Sequence, residues 1–222
     1  MVTAERLTQS RWARARWLIL APHPDDETLG TGALIAHSAA TGRLGGIVFL
    51  TDGSGSHPAG TPRLAATRRR EAGHAIRKLG GGGVRLHWLG WRDAHPHESG
   101  SVAFVRSAKR LAALLRSSRI NAIAVSDRTE THCDHVAAFE LAEAAVRSAR
   151  RSVTLFAYHV WSAHPASVRR VVTPVVAPGR RRHALRSHRS QMSPVLGNGF
   201  RLPSEKLRMP SSDTLTVRSL RR

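Results

Sequence analysis

The stretch Trp17-Leu18-Ile19-Leu20-Ala21-Pro22-His23-Pro24-Asp25-Asp26-Glu27 decides how this chain is read. Its five apolar residues, Trp17 to Ala21, predict a buried strand, and a helical pattern of apolar residues follows from Leu29 to Ala40. A strand that turns into a helix through His23, Asp25 and Asp26 brings an imidazole and two carboxylates to one sheet end. The imidazole and one carboxylate suit Zn²⁺, and the second carboxylate is left as a base for an activated water. The competing reading is that Asp25 and Asp26 only cap the helix and complement its dipole. Glu27 reads as a first-turn helix residue in either case.

A single such corner is weak, so the argument turns on a partner for it. The apolar run Ile120 to Val125 leads to Thr131-His132-Cys133-Asp134-His135, again just before an Ala-rich helical pattern. Working outward, the expected strands are Trp17 to Ala21, Gly46 to Thr51, Val84 to Leu89, Ala122 to Ser126 and Val153 to Tyr158. The expected helices are Leu29 to Ala40, Pro62 to Leu79, Ser101 to Arg116 and Val136 to Arg150. This alternation predicts an α/β fold, a Rossmann-like, doubly wound, mainly parallel sheet of order 3-2-1-4-5. Strands one and four are then neighbours, and the crevice between their carboxyl ends takes His23 and Asp26 on one lip and His135 on the other. If His132 and His135 instead face solvent at a helix start, the coincidence has no meaning. Asp134 is expected to orient a ligand histidine.

With 222 residues the chain is read as one domain, with a core over about 17–160 and a C-terminal extension over about 161–222. Six prolines, from Pro165 to Pro210, break up that extension, leaving one short helix around Arg181 to Ser190 and a tail from Ser211 that is mobile or an edge strand. The net charge is +20, yet only Lys78, Lys109 and Lys206 are lysines, so the surplus is arginine in an Ala- and Gly-rich chain. Such a charge is compatible with a solvated basic surface, peripheral contact with an anionic membrane, or nucleic acid. Nucleic acid is disfavoured by the absence of zinc-finger spacing and by an aromatic content of 5%. One cysteine, Cys133, rules out an internal disulfide. The first apolar run is too short for a signal peptide and no stretch nears the ~18 residues of a membrane span, so a cytoplasmic protein is expected.

The string APHPDDETLGTGALIA, with LTDG at Leu50 to Gly53, HCDH at His132 to His135 and HRSQ at His188 to Gln191, resembles the PIG-L/LmbE-like N-acetylglucosaminyl deacetylase family. The likeness runs from about Trp17 to Gln191. It implies a zinc-dependent de-N-acetylase acting on a small-molecule or lipid-linked N-acetylglucosamine unit. By that resemblance His23, Asp26 and His135 are the metal ligands, Asp25 is the general base, and His132 steadies the oxyanion or protonates the leaving amine. Arg68 and Asp93 resemble positions that contact sugar hydroxyls; a surface Arg68–Glu71 pair and a simple loop turn are the plain readings. Fe²⁺ or Co²⁺ would fit the same donors as Zn²⁺.

Attack on an acetyl carbonyl creates an oxyanion, which the cation and a protonated His132 would neutralise, and collapse needs a proton on the amine from Asp25 or His132. Two positions depart from the family pattern: Cys133 stands where HPDH has Pro, and Glu130 stands where the mycothiol-pathway branch has Tyr. Cys133 is read as a space-filler pointing away from the metal, with redox sensitivity or stray ligation as its alternatives. Asp52 and Gly53 are expected to form a turn, and His188 and Gln191 either close the site or form a structural pair. His95, His97, His159 and His164 have no spacing partner and read as surface or packing residues. A phosphoester hydrolase and a basic nucleic-acid-binding module remain the rival functions.

Overall fold

A computed structural model describes residues 4–165 and 168–218 of the chain. The strands are β1 (Ala4–Arg6), β2 (Trp17–Ala21), β3 (Leu44–Thr51), β4 (Leu86–Trp91), β5 (Ala122–Ser126), β6 (Thr154–Tyr158), β7 (Arg170–Val172) and β8 (Thr214–Arg218). The helices are α1 (Asp26–Ala40), α2 (Leu64–Lys78), α3 (Val102–Ser117), α4 (Cys133–Ser148), α5 (Arg180–Leu185) and α6 (Arg189–Met192). All eight strands join one sheet in the order β1-β7-β8-β6-β5-β2-β3-β4.

β2 sits between β3 and β5, and every pairing from β4 through β6 is parallel. This segment has the expected 3-2-1-4-5 order. Successive residues of β2 supply opposite faces: Leu18 and Leu20 pack with α3 and α4, while Trp17, Ile19 and Ala21 pack with α1 and α2. A strand buried on both faces reads as an unbroken apolar run, which is why β2 was legible. α3 shows the amphipathic period, burying Phe104, Ala108, Leu111 and Leu115, and its N-cap Ser101 accepts a hydrogen bond from Phe104 N at 3.3 Å.

The order differs from expectation beyond β6. β6 is not the edge, because β8 pairs antiparallel with both β6 and β7, and β1 then pairs with β7. The segment after Ser211 is therefore interior sheet rather than a mobile or edge tail, as far as Arg218. Thr214-Leu215-Thr216-Val217 has the β-branched, alternating composition of a strand, with Leu215 fully buried. Arg218 seals it by pairing with the buried Asp127 at the end of β5.

The expected helix from Arg181 to Ser190 is two short helices, interrupted at His188, whose ψ of 59° is not helical. Asp213, just before β8, takes part in a second buried clasp. Its Oδ1 meets Arg181 Nη2 at 2.9 Å, and its Oδ2 accepts a hydrogen bond from Leu34 N at 2.7 Å. That amide is available because α1 is kinked at Thr31 (φ −137°), which breaks the regular ladder. Gly30 on the same helix is required by packing: a Cβ there would stand 2.1 Å from the Tyr158 ring. The extension is thus anchored to the helix that begins at the candidate site.

Candidate active site

β2 and β5 end side by side, and each delivers its motif into the same cleft, as a topological switch point requires. The cavity measures ≈ 380 Å³, and its lining includes His23, Asp25, Asp26, Arg68, Asp93, His132 and His135. The residues that the sequence placed on two lips do converge. Asp26 Oδ2 lies 3.2 Å from His23 Nδ1 and 3.2 Å from His135 Nε2, and the three ligand atoms all fall within 4.8 Å of one another. Tetrahedral Zn²⁺ with bonds of about 2.1 Å separates its ligands by about 3.4 Å, so these spacings fit one small cation.

A second donor group, His23, Asp93, His132 and Asp134, shares His23 with the first. A neutral imidazole has one donor and one acceptor nitrogen, so it serves only one of them. His23 Nε2 faces Asp134 Oδ2 at 3.0 Å and Asp93 Oδ1 at 3.3 Å, contacts that keep a proton on Nε2 and leave Nδ1, which faces Asp26, as the nitrogen a cation would take. Asp134 is itself fixed, accepting a hydrogen bond from Ala94 N at 2.8 Å. The donor set His23, Asp26 and His135 is the one the hydrogen bonding prepares.

The charges around it are perturbed in opposite directions. Burial opposes ionisation of Asp26, but His135 and His23 outweigh it and hold this carboxyl far below the usual range. Burial, reinforced by the negative charge of Asp26, pushes Asp25 up to about 7. Burial also opposes protonation of His23, yet its hydrogen bonds to Asp134, Asp26 and Asp93 raise its pKa well above 6.5. Asp93 resists its own desolvation through His23 and sits at about 2. Two adjacent carboxylates, one kept ionised and one poised near neutrality, are the pattern of a ligand beside a base.

Asp25 is no ordinary cap. It precedes α1 but makes no side-chain capping bond, and its φ of 143° is a conformation that a non-glycine residue rarely adopts. Strain of this kind, of about 1–3 kcal/mol, persists where surrounding contacts over-determine it. Here those contacts are specific. Glu27, fully buried, accepts from Asp25 N at 2.8 Å and meets His188 Nε2 at 3.2 Å, while Gln191 Nε2 donates to Asp25 Oδ2. His188 and Gln191 therefore join the site from the extension, and Glu27 is more than a first-turn residue.

Arg68 is buried, and its two terminal nitrogens donate to Gly53 O at 2.6 Å and Pro24 O at 2.9 Å. Its guanidinium is 3.9 Å from Asp25 Oδ1, so Arg68 ties the loop after β2 to the loop after β3 and is not a surface partner of Glu71. Gly53 (φ 70°) permits that approach, since a Cβ would lie 2.1 Å from Arg68 Nη1. Asp93 Oδ2 accepts from Gly55 N at 3.0 Å, pulling the loop after β3 over the cavity. His132 is the N-cap of α4, its Nδ1 accepting from Asp134 N at 3.2 Å. Burial, and then the charge on His23, lower its pKa. The capping bond occupies Nδ1 and leaves Nε2 outside it.

Cys133 is exposed and belongs to neither donor group. His95 and His97 serve local contacts, to Asp93 O and the Trp91 ring, and His159 meets His164 edge-on with ring centroids 4.3 Å apart. Glu130, noted in the sequence only as a departure from the family pattern, has a structural role that sequence reasoning missed. Its buried carboxylate accepts from Val160 N at 2.9 Å, Trp161 N at 3.0 Å and Ser162 Oγ at 2.8 Å, and lies 3.6 Å from His135 Nδ1. A lone glutamate among polar residues carries no such signal.

Fold and site together define an α/β protein with a candidate metal centre at the switch point of its sheet. The family described as PIG-L, GlcNAc-PI de-N-acetylase, matches residues 18–146, and the chain belongs to it. It is 31% identical over 176 residues to a 1D-myo-inositol 2-acetamido-2-deoxy-alpha-D-glucopyranoside deacetylase of Salinispora arenicola, covering 69% of this chain and 57% of that protein. The chain spans little more than half the length of the curated relatives it matches. In fold it is similar to the N,N'-diacetylchitobiose deacetylase of Pyrococcus horikoshii (TM-score 0.70, 22% identity, 95% of this chain and 86% of that one). It is also similar to GalB, the 4-carboxy-2-hydroxymuconate hydratase of Pseudomonas putida KT2440 (TM-score 0.68, 16% identity, 92% and 96%). The same fold therefore serves more than one reaction, and the chemistry must be argued from the residues. Among the described residues no helix is long and apolar enough to cross a membrane.

Proposed function

We propose that this protein is a metal-dependent de-N-acetylase that hydrolyses the N-acetyl amide of an N-acetylglucosamine-type sugar. The observation that carries this reading is the pairing of the His23, Asp26 and His135 donor set with a neighbouring Asp25 poised near neutral pH. The family and the relative's name supply the substrate class.

His23, Asp26 and His135 would hold the cation, for which Zn²⁺ is the first choice on donor type and Fe²⁺ or Co²⁺ the alternatives. Once bound, the cation supplies a water activated at neutral pH and polarisation of the acyl carbonyl. Asp25 takes the proton of the attacking water. Gln191 occupies Asp25 Oδ2, which leaves Oδ1 for that proton, and the Arg68 charge 3.9 Å away prevents Asp25 from holding it too tightly. His132 lines the cavity with Nδ1 engaged by Asp134 N, so its Nε2 is the nitrogen that would donate to the developing oxyanion or the departing nitrogen. Asp25, which then carries the water's proton, delivers it to the departing nitrogen as the C–N bond breaks, with a protonated His132 as the alternative donor. Asp93 and Arg68 line the cavity where sugar hydroxyls would bind.

The test is release of free amine and acetate from N-acetylglucosaminyl-inositol and simple N-acetylglucosamine glycosides by protein loaded separately with Zn²⁺, Fe²⁺ and Co²⁺. Turnover that disappears in Asp25→Asn supports the reading. Absence of amine with every metal and sugar, or release of phosphate from phosphoesters instead, overturns it.

A further inference from the structure

Two aromatic side chains at the cavity mouth have no part in this chemistry. Trp161, from the loop after β6, and Phe200, from the extension, are 37% and 41% exposed and both line the catalytic cavity. Their ring centroids are 6.2 Å apart with an interplanar angle of 83°, so they form a right-angled apolar corner.

The corner is built, not incidental. Glu130 clamps the Trp161 loop by accepting hydrogen bonds from the backbone of three consecutive residues, Val160, Trp161 and Ser162. Lys206 Nζ lies 4.5 Å from the Trp161 ring centroid, a cation–π contact that helps fix the ring where it lines the cavity. On the other side, Phe200 N donates to Ser56 O at 2.6 Å and Leu202 N donates to Gln191 O at 2.9 Å. The segment bearing Phe200 is thus tied at one end to the loop after β3 and at the other to the residue that holds Asp25.

Resting on the deacetylase reading above, we propose that Trp161 and Phe200 form an aglycone subsite for a second ring, a pyranose or cyclitol attached to the N-acetylated sugar. Two planes at right angles seat one ring, face against one and edge against the other. An extended acyl chain needs a longer apolar groove, and the neighbouring mouth residues, Gly55, Ser56 and Thr131, do not provide one.

The experiment compares the methyl, cyclohexyl and octyl glycosides of N-acetylglucosamine, measuring both kcat/KM and the Kd of each glycoside by calorimetry. The wild-type protein is expected to prefer cyclohexyl to methyl by up to about tenfold, the size of a stacking contribution. Trp161→Ala and Phe200→Ala each shrink that ratio, and Trp161→Phe restores most of it. Thermal melts confirm that these exposed positions leave folding intact. Equal preference for methyl and cyclohexyl in the wild-type protein, or a ratio unmoved by both alanine variants, overturns the subsite. A preference for octyl over cyclohexyl likewise overturns the ring subsite, because it marks a site for an extended alkyl chain. Should no glycoside be turned over, the deacetylase reading fails and the Kd ratios still decide the corner.

Discussion

Glu130→Ala separates this account from one in which the metal ligands act alone. The wild-type carboxylate is fully buried and receives the backbone amides of Val160, Trp161 and Ser162 as well as the Ser162 hydroxyl. Hydrogen bonds to a charged group contribute about 1.5–3 kcal/mol each, and a buried donor left without a partner costs about 1–3 kcal/mol. Val160 is 7% exposed, so its amide is stranded, whereas those of Trp161 and Ser162 can recover water. A loss of about 3–5 kcal/mol follows, in line with the removal of one partner from a buried charged network. Urea titration followed by circular dichroism would show it as a lower midpoint with an unchanged slope. The same variant loses the carboxylate 3.6 Å from His135 Nδ1, a buried nitrogen with no hydrogen-bond partner of its own. Divalent metal affinity should therefore fall by about 10–100-fold. Glu130→Gln keeps an acceptor oxygen for the loop, so it should recover much of the stability but little of the affinity. A destabilisation under about 1 kcal/mol with undiminished metal binding would refute the reasoning.

Further outcomes follow from neighbouring residues. Asp25→Asn should lower kcat by about 10²–10⁴-fold while leaving metal binding in place. Asp25 stands at about 7 by itself, and a bound cation pulls it lower, so the acid limb of the kcat/KM profile should fall below that pH. Asp127 resists desolvation through Arg218 and Thr129, and its pKa lies below 3.8. Its stabilisation is accordingly present above pH 3.8 and lost as pH falls through the folded value, so Asp127→Asn should flatten the acid limb of a stability-against-pH curve. Gly30→Ala drives a Cβ to 2.1 Å from the Tyr158 ring and should lower stability by about 1–3 kcal/mol, read as a lower midpoint in urea.

The parallel core was legible because its strands are buried on both faces and its helices carry the 3.6-residue period. β2 and β5 were located to the residue. The donor set was legible because two strand ends each begin a helix with His and Asp, and the topology brings those ends together. What escaped the sequence depends on long-range pairing. β8 is a short strand whose place between β6 and β7 depends on clasps made by Asp213 and Arg218 to residues far away in the chain. Arg68 reads as a helix-surface charge until the fold turns it inward onto Gly53 and Pro24. Trp161 and Phe200 lie in irregular segments with no periodic signal, and only the closed fold sets them against each other.

The most direct measurement is the metal content of the protein after exposure to Zn²⁺ and removal of excess ion, by elemental analysis against chain concentration. The account predicts one tightly held ion per chain in the wild-type protein and in Asp25→Asn, and its loss from His23→Ala, Asp26→Ala and His135→Ala. An unmetallated wild-type protein, or full metal retention in His135→Ala, would contradict it.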